Sequence, residues 1–155
     1  MEHIINFRVI DYRIASGGQP TPVQISALAE AGCQVVINLA LPTSTHAIAN
    51  EGELVTRLGL TYIHIPVVWE KPTLDDFQQF VGVMQIYQEK KIFVHCAMNM
   101  RASCFLYLYR LIVEGMDPEI AVYDMLSVFQ PNETWQRFMD EVLSHYATAK
   151  EQTND

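Results

Sequence analysis

The sequence predicts a single α/β domain over residues 1–155: a mostly parallel sheet of four or five strands with helices on both faces. Three observations predict it. The chain has 155 residues and half of them are apolar, enough for one sizeable core. Short apolar runs at Val35–Leu39, Thr61–Ile65 and Lys91–His95 have the length of strands. Segments with helical periodicity separate these runs, and strands alternating with helices at this spacing form parallel sheets covered on both faces.

Each element has its own local reason. Thr21-Pro22-Val23-Gln24 opens a helix, because Thr21 can cap, proline suits the first turn and Gln24 completes a capping box. Ile25, Leu28 and Ala29 supply its apolar face, and Gly32 closes it. The strand Val35–Leu39 follows. Ala47–Leu58 has the pattern of a second helix, closed by Gly59. Thr61–Ile65 alternates as a strand and Pro66 stops it. Thr73-Leu74-Asp75-Asp76 is another capping box, ahead of Phe77, Phe80, Val81 and Met84 at helical spacing. After the strand ending at His95, Arg101–Glu114 is apolar nearly all round and so should be buried, with Gly115 at its end. Asp117-Pro118 starts a helix through Met125, and Asn132 caps a last one from Glu133 to about Ala147. Residues 148–155 have the composition of a tail. No internal repeat or linker is present.

Composition narrows the function. Ten basic against eighteen acidic residues give a net charge of −8, which disfavours nucleic acid or an anionic membrane face as partner. A small anion held in a local pocket of opposite sign is still compatible. Cys33, Cys96 and Cys104 form no CxxC pair and cannot all pair with one another, so a reducing, cytoplasmic setting is the simpler expectation. Met1-Glu2-His3-Ile4-Ile5-Asn6 lacks the features of a secretory signal, and no run approaches the roughly 20 apolar residues of a membrane span. His3, His46 and His145 are scattered and suggest no metal, and His64 on its strand is expected in the core. Tyr107, Tyr109 and Tyr123 have the spacing of core and edge packing, and Cys33 and Cys104 that of structural residues.

Ligands of parallel sheets bind beyond the carboxyl ends of the strands. Chemistry is therefore expected just after Leu39, Ile65 and His95. The segment Val94-His95-Cys96-Ala97-Met98-Asn99-Met100-Arg101-Ala102-Ser103 runs from a buried strand through a tight loop into a buried helix. Backbone N–H groups at a helix start favour both a thiolate and a bound oxyanion. Arg101 in a first helical turn opposes the helix dipole, so an anion is the better reason for it, and its fork matches two phosphate oxygens. The expected phosphate contacts are Ala97, Met98, Asn99, Met100 and Arg101, and Cys96 is the expected nucleophile.

This segment resembles the signature of the cysteine-dependent protein tyrosine phosphatase superfamily: His-Cys, five residues, Arg, then Ser or Thr. Ser16-Gly17-Gly18-Gln19-Pro20-Thr21 resembles the opening of a small bacterial phosphatase-like group, with one extra glycine. Val35-Ile37-Asn38-Leu39 and Tyr62–Val67 fall in the same order as in that group, and the resemblance spans roughly Tyr12 to Arg110. It implies that the fold is a phosphatase-like one and that a phosphomonoester is hydrolysed through a phosphocysteine without a cofactor. It also implies that His95 bonds the loop backbone and supports the thiolate, and that Ser103 helps the thiolate leave. The family's general acid is an aspartate on a loop after an earlier strand. The matching loop, Val68-Trp69-Glu70-Lys71-Pro72, has only Glu70, with Asp75 and Asp76 as alternatives in the helix that follows.

Two departures bear on activity. Only four residues separate Cys96 from Arg101, and the loop contains no glycine. Asn99 is the residue best able to take a left-handed conformation in its place. These departures leave a second reading open, a domain that binds phosphate or a phosphorylated partner with little turnover. A third reading is a rhodanese-like sulfurtransferase, which also carries a cysteine in a short loop after a strand.

Overall fold

The computed structural model describes residues 3–154; Met1, Glu2 and Asp155 lie outside it, and with them part of the amino-terminal and tail segments named above. In chain order the elements are β1 (Arg8–Val9), β2 (Ile14–Gly17), α1 (Pro22–Glu30), β3 (Val35–Asn38), α2 (Glu51–Arg57), β4 (Thr61–His64), α3 (Leu74–Ile86), β5 (Ile92–His95), α4 (Met100–Ile112), α5 (Pro118–Leu126) and α6 (Glu133–Asn154). The strands form one sheet in the order β1-β2-β5-β3-β4. Only β1 is antiparallel to its neighbour. The strand that ends at His95 is therefore central.

Both faces are covered, as alternate residues of the central strands show. Val35 and Ile37 of β3, with Ile92 and Val94 of β5, join a large cluster containing Phe77, Phe80, Phe105, Trp135 and Phe138 of α3, α4 and α6. Val36 instead packs with Ile25 of α1 and Val55 of α2, and Phe93 packs with Leu28. The helix α4 is buried from Arg101 through Leu106 and again from Leu108 through Arg110, as its nearly continuous apolar surface requires. Phe105 of α4 stacks on Phe138, with ring centroids 5.6 Å apart, which seats α6 over it.

Both capping boxes form: Thr21 with Gln24, and Thr73 with Asp76. Gly32, Gly59 and Gly115 adopt positive φ at the helix ends where the sequence places them. Asn132 accepts from the Trp135 N–H at the start of α6. Four details differ from the sequence reading. The second helix is shorter, beginning at Glu51, with 47–50 in irregular backbone and a turn ahead of it. The strand β2, only four residues ending in glycine, carries too little apolar signal to be recognised. The composition tail is helical as far as Asn154, because Ala147, Ala149 and Lys150 are strong helix formers that extend a packed helix. His64 is exposed on the edge strand and is not in the core; its Nε2 lies 2.6 Å from the Ala40 carbonyl.

Register places the site. Gly17 pairs with His95, His95 with Asn38, and Asn38 with His64, so four residues form one row at the carboxyl end of the sheet. The loops that follow this row carry Gly18 and Gln19, Cys96 to Asn99, Leu39 and Ala40, and Ile65 to Val67.

Candidate active site

Cys96 is the first residue past β5 and is 1% exposed. Its N–H donates to the Gly17 carbonyl at 3.3 Å, which ties the loop to β2. Asn99 takes the left-handed conformation, with φ 68° and ψ 2°, at the amino end of α4. That is the conformation a glycine would supply, and asparagine reaches it at modest cost. Asn99 is completely buried, and its Nδ2 donates to the Asn6 carbonyl at 2.8 Å and to Ser16 Oγ at 3.1 Å. A loop one residue short and free of glycine is thus held by side-chain bonds to two neighbouring segments.

Three successive carbonyls of the loop are tethered from outside. The Cys96 carbonyl accepts from His95 Nδ1 at 3.2 Å, the Ala97 carbonyl from the Gln19 N–H at 3.0 Å, and the Met98 carbonyl from Asn6 Nδ2 at 3.0 Å. No peptide bond among the described residues is cis. In a trans peptide the N–H points opposite to the carbonyl. The N–H groups of Ala97 and Met98 therefore point away from those tethers, and neither finds a protein acceptor among the described residues. The first N–H groups of α4, from Met100, Arg101 and Ala102, are also unpaired within their helix. Asn99 contributes its αL turn and its side chain, and the bridge between Gly18 and Met98 pairs this stretch with residues 16–19.

Arg101 is 6% exposed, and its Nη1 donates to the Val67 carbonyl at 2.8 Å. The arginine is therefore held between the cysteine loop and the segment after β4, and one of its five donors is engaged there. Ser103 Oγ donates to the Met100 carbonyl of its own helix at 3.1 Å. Glu70 is exposed and lines a groove with Lys71, Thr134, Arg137 and Glu141, whose walls do not include Cys96. Its loop is pinned, because Trp135 Nε1 donates to the Trp69 carbonyl at 3.0 Å and the two indoles lie 5.3 Å apart. Asp75 and Asp76 are occupied at the start of α3, Asp75 with Gln79 and Asp76 with the Thr73 cap. The structure thus brings together Cys96, His95, Arg101 and the loop, and Glu70 is exposed on the loop after β4. Among the described residues no cluster of His, Cys, Asp or Glu could hold a metal ion.

Sequence reasoning missed Glu51, Gln19 and Asn6. Glu51 is 4% exposed; its Oε2 lies 2.7 Å from His95 Nε2, and its Oε1 accepts from Gln19 Nε2 at 2.6 Å. Nothing local in the sequence signals the burial of Glu51. Burial opposes the charge on Glu51, but the hydrogen bonds and charge of His95, with the Gln19 amide, outweigh it and hold the carboxyl below its ordinary value. The contribution of this pair is full above the ordinary carboxyl range and is lost as pH falls through the lowered folded value. Thermal melts should therefore show wild type losing more stability than Glu51→Gln across that acid range, and parallel curves would contradict the pairing.

A family model described as a DSP-PTPase phosphatase fused to NAD+ kinase matches residues 6–143. The chain belongs to this family. Its fold is that of the cysteine-phosphatase superfamily. The DUF442 phosphatase candidate of Shewanella putrefaciens CN-32 is 35% identical, with 94% of this chain and 95% of that one covered and a TM-score of 0.86. Two more distant structures share the phosphatase fold. PTPMT1, solved in complex with PI(5)P, is 18% identical over 93% of this chain and 98% of its own, with a TM-score of 0.79. TpbA of P. aeruginosa, solved as a variant with pTyr, is 14% identical over 92% and 91%, with a TM-score of 0.71. No curated protein sequence matches the chain. Among the described residues of this phosphatase no helix is long and apolar enough to cross a membrane.

Proposed function

We propose that this phosphatase hydrolyses a phosphomonoester through a phosphocysteine on Cys96. The observation that carries the reading is the outward tethering of the Cys96, Ala97 and Met98 carbonyls, which leaves a loop of N–H donors and one arginine around a cysteine. Cys96 Sγ attacks phosphorus, the S–P bond forms, and the bond from phosphorus to the leaving oxygen breaks. Water then attacks phosphorus, the S–P bond breaks, and phosphate leaves as the thiolate is restored. The N–H groups of Ala97, Met98, Met100 and Ala102, with Arg101, hold the non-bridging oxygens through both transition states. The scheme needs no cofactor. The three free thiols fit a reducing, cytoplasmic setting.

Glu70 is the one carboxylate on the loop after β4, and it is exposed there with no hydrogen bond among the described residues to fix it over the cysteine loop, so little proton assistance is expected from it. Aryl phosphates, whose leaving oxygen needs little proton assistance, should therefore be turned over far better than alkyl phosphates. Glu70→Gln is expected to reduce alkyl phosphate turnover by less than about tenfold, where a placed general acid contributes about 10² to 10⁴. A loss of that larger size would assign Glu70 the role of acid.

The deciding experiment is hydrolysis of an aryl phosphate with vanadate as competitor, followed by acid quench and mass spectrometry of the Cys96 peptide. Turnover with a phosphate mass on Cys96 supports the reading. The exposure of Glu70 and the short loop favour a second reading, phosphate binding with little turnover, which predicts calorimetric binding of phosphate without hydrolysis. Thiocyanate from thiosulfate and cyanide would point instead to sulfur transfer.

A further inference from the structure

His95 is enclosed by acceptors. Its Nδ1 meets the Cys96 carbonyl, and its Nε2 meets the Glu51 carboxylate. A carbonyl cannot donate, and neither can an ionised carboxylate. Two hydrogen bonds are made only if both ring nitrogens carry protons. The ring is completely buried and stacks on Phe93 at 5.9 Å, so no solvent competes for those protons. A buried imidazolium needs a partner charge, and Glu51 is that partner. Gln19 completes the arrangement by donating to the other carboxylate oxygen, and its own N–H holds the Ala97 carbonyl. One residue thus touches both the ion pair and the loop.

We propose that Glu51 is a positioning residue for Cys96: its carboxylate keeps His95 doubly protonated, and the imidazolium holds the Cys96 carbonyl outside the loop. The inference rests on the phosphocysteine reading for its purpose, though its geometry stands without turnover. A cation on the far side of the Cys96 peptide favours the thiolate and discourages that carbonyl from turning toward the bound anion. The other titratable and charged groups facing this arrangement are Tyr62 and His64 of β4, beside Glu51, and Arg101 of α4, beyond the loop. Burial pushes the Tyr62 hydroxyl up to about 12, so it stays neutral and adds no competing anion. A cleft of about 220 Å³ lined by Gln19, Asn38, Glu51, Tyr62 and His64 opens on this side.

The test reads Cys96 and His95 directly. Alkylation of Cys96 by iodoacetamide, followed on its own peptide by mass spectrometry, is compared between wild type and Glu51→Gln from pH 6 to pH 9. The expected result is a rate about tenfold lower in the variant at pH 6, with the gap closing toward pH 9. Nitrogen NMR of the His95 ring should show two protonated nitrogens in wild type and one in the variant. A double cycle adds specificity: in a His95→Asn background, Glu51→Gln should change Cys96 alkylation no further. If Glu51→Gln fails to fold, Gln19→Met takes its place in the same assay, with the same direction and a smaller loss expected. Superimposable alkylation profiles, or one protonated nitrogen on His95 in wild type, would overturn the proposal. The phosphatase reading fails on a different result, the absence of Cys96-dependent aryl phosphate hydrolysis, so the two failures are distinguishable.

Discussion

Cys96→Ser is expected to lower aryl phosphate hydrolysis by about 10³-fold or more while leaving phosphate binding nearly intact. A serine hydroxyl is un-ionised at neutral pH and lacks the nucleophilicity of a thiolate, and removing the attacking group from an enzyme of this kind costs on that scale. Binding should survive because the donors belong to the backbone and to Arg101. The Cys96, Ala97 and Met98 carbonyls are tethered through His95, Gln19 and Asn6, none of which the substitution touches. The exchange is nearly isosteric at a buried position, so the melting temperature should change little. Calorimetry with phosphate and a progress curve with an aryl phosphate check both halves. Equal hydrolysis by wild type and variant would remove the phosphocysteine. Loss of binding together with loss of turnover would mean that the thiolate itself organises the loop.

The fold was legible wherever a local rule had one solution. Thr21 with Gln24 and Thr73 with Asp76 could be recognised because both partners of each capping box lie within four residues. The central strand ending at His95 was legible from its apolar run, and the burial of α4 from its lack of a polar face. Asn99 was legible in the same way, since few residues replace glycine at positive φ. The supports of the loop were not. Asn6, Gln19 and Glu51 meet residues 92, 78 and 44 positions away in the chain, respectively: Asn6 bonds Met98, Gln19 bonds Ala97 and Glu51 bonds His95. Pairings of that range depend on strand order, and β2 was too short to announce itself. The phosphatase motif therefore marks the nucleophile and the arginine, whereas the residues that orient the loop peptides come from segments with weak local signals.

The largest structural effect is expected at Gly18. A Cβ there would stand 2.5 Å from the Ala97 carbonyl oxygen and 2.8 Å from Ile5 Cβ. Real Cβ atoms do not come so close to backbone, so the loop carbonyl or the strand must move. At Gly17 the added atom would instead meet side-chain rather than backbone atoms, those of Ile4 at 2.8 Å and Phe93 at 3.0 Å. Gly18 also bridges to Met98, and its N–H donates to the Ile5 carbonyl at 2.7 Å, so it has no slack on either side. Displacing the Ala97 carbonyl breaks its bond to Gln19 and re-aims the Met98 N–H that belongs to the same peptide. A shift near 1 Å in a group that holds the reacting phosphate costs about 10²-fold in rate. Gly18→Ala should therefore lower kcat/KM for an aryl phosphate by about that factor, with about 1–3 kcal/mol of overpacking in the unfolding free energy. Gly17→Ala is expected to carry the stability cost with at most a severalfold loss of rate. Similar kcat/KM values for the two variants would show that the contact of Gly18 with Ala97 does not set the geometry of the loop.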